Sequence, residues 1–220
     1  MPVTLNFVFI FPRGIVADYI LIYYYSTKID TNATVWKNLH AKLNKICTKK
    51  EQPWEKFPKD CSICRKNLIL KYQKYFCLKG TDKRLWIYDS FEGLPDKDEK
   101  DRSALGVLFR RGELAVTKRE VKERFLRAGL KVPIIKKGWF KDLTDNDLPE
   151  KIALAFLDGD FYESVRDSLR LVEDRIVEGG VIIIHDYNNP ALPGVAEAVN
   201  EWIKDKNIKI KQLKSMAIIK

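Results

Sequence analysis

A chain of 220 residues, 45% of them hydrophobic, can bury one substantial core, and at this length one domain is the default. Its formal charge of +10 is unevenly placed: residues 1–80 carry 14 lysines and arginines against 5 acids, and the remainder carries 26 against 25. The excess favours anionic partners, but no nucleic-acid motif accompanies it, so no specific nucleic-acid partner is expected.

In chain order, the apolar stretch Val3 to Tyr25 is interrupted by Pro12, Arg13 and Asp18 and follows no positively charged segment. Neither a secretory signal nor a membrane-spanning helix, which needs about 20 apolar residues, is therefore expected. The apolar opening reads as two strands, and Val35 to Ile46 has helical spacing. Lys49 to Asp60, broken by Pro53 and Pro58, reads as a linker. Cys61 and Cys64 have the spacing of a zinc or redox pair, but no second pair follows and His40 is the only histidine nearby. With Cys47 and Cys77 they read as idle thiols of a reducing, cytoplasmic compartment. Residues 1–64 thus form a basic N-terminal region, and residues 65–220 an orderly α/β domain.

Within that domain, Leu68 to Phe76 suit a helix ending at Gly80, and Arg84 to Tyr88 a short strand ending at Asp89. Asp96 to Arg111 is charged and reads as a mobile loop or lid. Thr117 and Glu120 have capping-box spacing before a helix whose buried stripe is Val121, Phe125 and Leu126. Val132 to Lys136 reads as a strand. Two apolar runs then stop abruptly at acids, one at Asp158-Gly159-Asp160 and the other at His185-Asp186. Short runs of this kind are strands buried on both faces. Between them, Val165, Leu169, Val172 and Ile176 predict a helix over 165–177 closed by Gly179 and Gly180. Pro193 to Ile203 is a further helix, and Ile208 to Leu213 and Met216 to Ile219 form a closing antiparallel hairpin. The alternation predicts a doubly wound, Rossmann-like α/β sheet, mostly parallel, with that hairpin at one edge.

In such a sheet ligands bind at the carboxyl ends of the strands. Asp89 sits where a ribose-binding acid belongs, although a turn aspartate fits the same position. Asp158, Asp160, His185 and Asp186 are expected to converge on one crevice. Acids gathered this way repel one another unless a cation or proton lies between them, and oxygen donors suit magnesium, calcium or manganese better than zinc. Solvated helix caps are the alternative for Asp160 and Asp186.

The stretches DSFEGLP (Asp89 to Pro95), KGWFKD (Lys137 to Asp142), LDGDFYES (Leu157 to Ser164) and GGVIIIHDY (Gly179 to Tyr187) resemble the macrocin O-methyltransferase family over about residues 66–220. Members are class I, S-adenosylmethionine-dependent enzymes that methylate sugar hydroxyls of natural products. The resemblance implies S-adenosylmethionine and magnesium, or another divalent cation, as cofactors and a small sugar-containing acceptor as partner; a homo-oligomer is compatible with it. Asp89, Ser90, Phe91, Gly138, Trp139, Phe140, Asp158 and Gly159 are then cofactor-binding. Asp158, His185 and Asp186 are metal ligands, and Asp158 and His185 are catalytic, Asp158 as the general base. Tyr162 and Glu163 border the acceptor, unless Tyr162 only packs.

Two departures stand out. Aspartate is usual at the position of His185, whose imidazole removes a negative charge and weakens magnesium binding. The family's glycine-rich turn is expected just before the helix at Lys66 to Lys79, yet Phe57 to Leu70 contains no glycine. Bulky residues there obstruct the cofactor or force another backbone path. Divergence and a shifted reading frame are both compatible with residues 1–64. Two other readings remain open: a methyltransferase fold that has lost catalysis, and a glycosyltransferase using Asp158-Gly159-Asp160 to hold a metal on a nucleotide sugar.

Overall fold

The computed structural model of the chain describes residues 6–10 and 84–220, apart from 107, 108 and 128–130. The second opening strand, the helices expected over 35–46 and 66–79, the linker, the four cysteines and the glycine-free stretch 57–70 all lie outside the described residues.

Seven strands form one sheet in the order β3-β2-β1-β4-β5-β7-β6. They are β1 (Asn6–Ile10), β2 (Arg84–Asp89), β3 (Ile134–Lys137), β4 (Ile152–Leu157), β5 (Ile176–Ile184), β6 (Ile210–Leu213) and β7 (Met216–Ile219). Strands β1 to β5 pair in parallel, and β7 runs antiparallel to both β5 and β6. This is the mostly parallel α/β sheet expected, with the antiparallel hairpin at its edge.

Strand β1 lies at the centre, between β2 and β4. It has no polar alternation because both of its faces are covered: Val8, Phe9 and Ile10 are fully buried. At its start Asn6 is buried but satisfied, donating from Nδ2 to the Lys151 carbonyl (3.0 Å) and accepting from Trp86 Nε1 (3.1 Å). Strand β1 therefore belongs to the same sheet as the strands that follow residue 64, although it lies within the N-terminal region. Residues 1–14 and 78–220 make one compact unit.

Three helices accompany the described strands: α1 (Lys118–Arg127), α2 (Tyr162–Val172) and α3 (Pro193–Ile203). The Thr117 cap is present, with Glu120 N donating to Thr117 Oγ1 (3.1 Å) and Thr117 N to Glu120 Oε2 (2.7 Å). Val121 and Phe125 are buried, but Leu126 is 63% exposed. One residue beyond Phe125 is about 100° further round the helix, off the narrow apolar stripe.

Helix α2 starts three residues earlier than expected and ends at Val172, followed by a 3₁₀ turn over Glu173–Arg175. Ile176 and Val177 belong to β5, where Gly179 and Gly180 fall in the break of register between the Ile152–Ile176 and Leu154–Val181 pairs instead of closing a helix. Ile176 fits the helical spacing and a branched strand start equally well, and pairing with Ile152 decides between them.

The charged segment expected to be a mobile lid is tied down. Leu94 N donates to the Glu113 carbonyl (3.0 Å) and Gly112 N to the Leu94 carbonyl (2.9 Å), closing the loop at its base. Ser103 Oγ reaches the Pro190 carbonyl (2.8 Å). Among the described residues, no helix is long and apolar enough to cross a membrane.

Candidate active site at the carboxyl edge of the sheet

The ladder bonds of β4 continue past its end. Asp158 N donates to the Ile10 carbonyl and His185 N to the Leu157 carbonyl, both at 2.9 Å. The tips of β1, β4 and β5 are thereby locked side by side, and residues 27 positions apart meet. His185 Nδ1 lies 3.2 Å from Asp158 Oδ1 and 3.1 Å from Asp186 Oδ2. Asn189 Nδ2 donates to the other oxygen of Asp186 (3.2 Å). One donor atom from each of Asp158, His185 and Asp186 falls within 4.8 Å of the others.

Asp160 does not join them, although it is buried. The chain takes a left-handed turn at Asp160 (φ 58°) to enter α2, so three of the four expected residues converge rather than four. Asp186 (φ 55°) and Phe91 (φ 56°) share that conformation. A non-glycine residue in the left-handed region at or after each of three strand tips is strain concentrated at one edge, least costly for the aspartates and most for the phenylalanine. Gly159 is required by close approach: a Cβ there would lie 2.8 Å from Val165 N and 2.9 Å from Val165 Cγ2.

Burial works against the charged form of His185, but its hydrogen bonds to Asp158 and Asp186, and their charges, outweigh it and push its pKa up to about 10. The imidazolium thus partly neutralises the two acids. Asp158 Oδ2 is nevertheless buried with no hydrogen-bond partner. An orphaned carboxylate oxygen beside a second carboxylate and an imidazole is a donor set that fits a divalent cation, which would take the place of the His185 proton.

At the tip of β2, Asp89 is 1% exposed. Its Oδ1 accepts from Phe91 N (2.6 Å), and its Oδ2 is buried without a partner. Burial raises its pKa to about 7, with the Phe91 hydrogen bond opposing. Oδ2 is therefore available to a ligand hydroxyl. Ser90 is engaged in its own turn, donating to the Gly93 carbonyl (3.2 Å) and accepting from Glu92 N (3.1 Å). Gly138 N donates to the Asp89 carbonyl (3.1 Å). Trp139 and Phe140 follow, lining a hollow of ≈ 210 Å³ with Glu92, Arg111, Glu163 and Asp167 among others. Phe140 is mostly core, at 6% exposed.

Tyr162 packs: its hydroxyl donates to Glu201 Oε2 (2.6 Å) and its ring faces Lys100 Nζ at 3.9 Å. The sequence reading missed Asp167, which shares the hollow's wall with Glu163 one turn away on α2; i, i+4 spacing was the available signal. It also missed Asp101, for which the N-cap to N3 spacing of Asp98 and Asp101 was the available signal, although nothing local announces its contact with Tyr162.

A family model described as macrocin O-methyltransferase matches residues 71–218. The 8-demethyl-8-(2,3-dimethoxy-alpha-L-rhamnosyl)-tetracenomycin-C 4'-O-methyltransferase of Streptomyces olivaceus is 36% identical over 128 residues, covering 56% of this chain and 48% of that protein. The mycinamicin III 3''-O-methyltransferase of Micromonospora griseorubida is 33% identical over 128 residues, 55% and 49% of the two chains. The chain thus spans about half the length of the curated relatives it matches. Among solved structures, the O-methyltransferase NovP superposes with a TM-score of 0.55 at 27% identity, covering 70% of this chain and 64% of that one. The calicheamicin methyltransferase CalS11, at 17% identity and a TM-score of 0.58 over 99% and 72% of the two chains, shares the fold.

Proposed function

Because the chain belongs to the macrocin O-methyltransferase family, we propose that it transfers a methyl group from S-adenosylmethionine to a hydroxyl of a sugar or glycosylated natural product, assisted by a divalent cation. The observation that carries this reading is the buried meeting of Asp158, His185 and Asp186 at the same sheet edge as Asp89. Asp89 Oδ2 accepts a hydrogen bond from a ribose hydroxyl of the cofactor, and Trp139 borders the adenosyl group beside it. Asp158, His185 and Asp186 hold the cation, which supplies Lewis-acid stabilisation of an acceptor oxygen. The Asp158 carboxylate oxygen that does not bind the cation takes the proton leaving the sugar hydroxyl. Positioning of the acceptor beside the cation and charge stabilisation supply most of the rate. Nothing in this reading needs a nucleotide sugar, and family membership sets aside the glycosyltransferase alternative.

One observation favours a second reading, a methyltransferase fold without catalysis. Strand β1 ends at Ile10, and the next residues, Phe11-Pro12-Arg13-Gly14, contain no acid and one glycine. Calorimetry with S-adenosylhomocysteine separates the two: saturable binding supports the enzyme, and none supports the inert scaffold. The full proposal is tested by incubating the chain with labelled S-adenosylmethionine and rhamnosylated acceptors, with magnesium and with a chelator. Label transfer lost on chelation is the expected result; undiminished transfer removes the cation from the proposal.

A further inference from the structure

We propose that Asp101 is a positioning residue: it clasps the starts of α2 and α3 together and so keeps the strand tips bearing Asp158 and His185-Asp186 in register. This rests on the reading that those tips form the reaction site. Asp101 ends the 3₁₀ turn Glu99–Asp101 in the segment linking β2 to α1 and is 2% exposed. Its Oδ1 accepts from Tyr162 N (2.7 Å) and its Oδ2 from Asp98 N (3.0 Å). Tyr162 is the first residue of α2, four positions after Asp158. The N-cap residue of α2 is Phe161, which has no side-chain oxygen, and α2 has no side-chain cap of its own. Helix starts leave backbone N–H groups without intrahelical partners, and a carboxylate is well suited to them. Asp101 provides that acceptor from 61 positions away.

The same carboxylate meets α3. Gly194 lies in the first turn of α3, eight positions after Asp186, and a Cβ there would fall 1.9 Å from Asp101 Oδ1 and 2.9 Å from Tyr162 Cβ. One point therefore joins the linking segment to both helices that leave the catalytic tips. Lys100 and Ser103 support it. Lys100 Nζ pairs with Glu201 Oε1 on α3 (2.5 Å) and lies over the Tyr162 ring, while Ser103 Oγ reaches the Pro190 carbonyl between Asp186 and α3. A buried carboxylate is costly unless hydrogen-bonded, and burial indeed raises the pKa of Asp101 while the Tyr162 and Asp98 N–H groups oppose the rise. A surface connection has no need of such a group; a joint between two helix starts does.

The test compares Asp101→Ala, Asp101→Asn and Gly194→Ala with the parent, and uses Glu99→Ala on the exposed side of the same turn as control. Amide hydrogen exchange is followed in peptides spanning 158–165 and 186–195 of the ligand-free protein. Binding of Mn²⁺ is followed by electron paramagnetic resonance, and of S-adenosylhomocysteine by calorimetry. Asp101→Ala is expected to speed exchange in both peptides about tenfold or more and to weaken Mn²⁺ at least tenfold. S-adenosylhomocysteine affinity stays within twofold, Asp101→Asn falls between parent and alanine, and Gly194→Ala reproduces the alanine pattern. Exchange within twofold of the parent in both peptides overturns the clasp, as does a lower melting temperature with Mn²⁺ affinity unchanged. A parent that takes up no Mn²⁺ sinks the functional reading instead, and the exchange rates still decide the clasp. Should the alanine variant not fold, the asparagine and Gly194→Ala variants carry the same comparison.

Discussion

Asp89 and Asp158 each keep one buried oxygen without a partner, but their settings differ. Asp89 is held by a single backbone N–H, and its pKa of about 7 lies above its ordinary 3.8. A hydroxyl donating to Oδ2 favours the carboxylate, so binding expels a proton wherever the free acid is protonated. Affinity for S-adenosylhomocysteine should therefore rise from pH 6 to pH 8 and level off above; Asp89→Asn should flatten the profile and weaken binding. For folding the sign is opposite. An acid whose folded pKa is raised loses stability as pH climbs from about 4 to about 7, so Asp89→Asn should stabilise the free chain at pH 8 by on the order of 2–4 kcal/mol, read as a raised urea midpoint. Asp158 instead touches His185 Nδ1. Asp158→Asn keeps the shape but loses the proposed proton acceptor, so methyl transfer should fall at least ~100-fold; because His185 also loses one of the two acids that hold its proton, stability at neutral pH should fall by on the order of 1–3 kcal/mol. Residual activity near the parent's would remove Asp158 from its role. His185→Asp restores a third carboxylate and should tighten Mg²⁺ binding at least ~10-fold in calorimetry. The place of these three residues at strand tips was legible, because short apolar runs that stop at polar residues announce strand ends. That Ser90 is spent on its own turn was not, since a hydroxyl's partner is chosen by the fold.

At the scale of elements, the turn from β4 into α2 shows how tightly the site is built. Gly159 has no room for a side chain because Val165 N and Cγ2 already fill the space. Gly159→Ala should cost about 1–3 kcal/mol, measured as a lower denaturant midpoint with an unchanged slope. No change in midpoint would mean that the turn can open. Strand β7 and helix α3 have the ends expected from sequence, because Pro193 fixes one helix start and tight spacing fixes the hairpin. Helix α2 was overrun by five residues, since Ile176 satisfies a three-to-four-residue period as readily as a strand start. Leu126 failed for the opposite reason: its position on the helix, not its hydrophobicity, decides its burial.

On the scale of the molecule, the sheet closes around β1, which pairs β2 on one side and β4 on the other. A chain starting at residue 15 would leave two central strands with unpaired backbone edges and remove Val8, Phe9 and Ile10 from the core. It should lose cooperative thermal unfolding and bind a hydrophobic dye; a sharp transition like the parent's would show that β1 is dispensable. The alternation of strands and helices, the buried runs that end in acids and the closing hairpin are properties of the sequence, because side-chain period and chain stiffness are local. Tertiary structure alone put a strand from the N-terminal tenth at the centre of the sheet, left Asp160 out of the group formed by Asp158, His185 and Asp186, and seated Asp101 between two helix starts. Those outcomes depend on which backbone edges pair and which buried charges find partners, and such contacts join residues too far apart in the chain for any local pattern to encode.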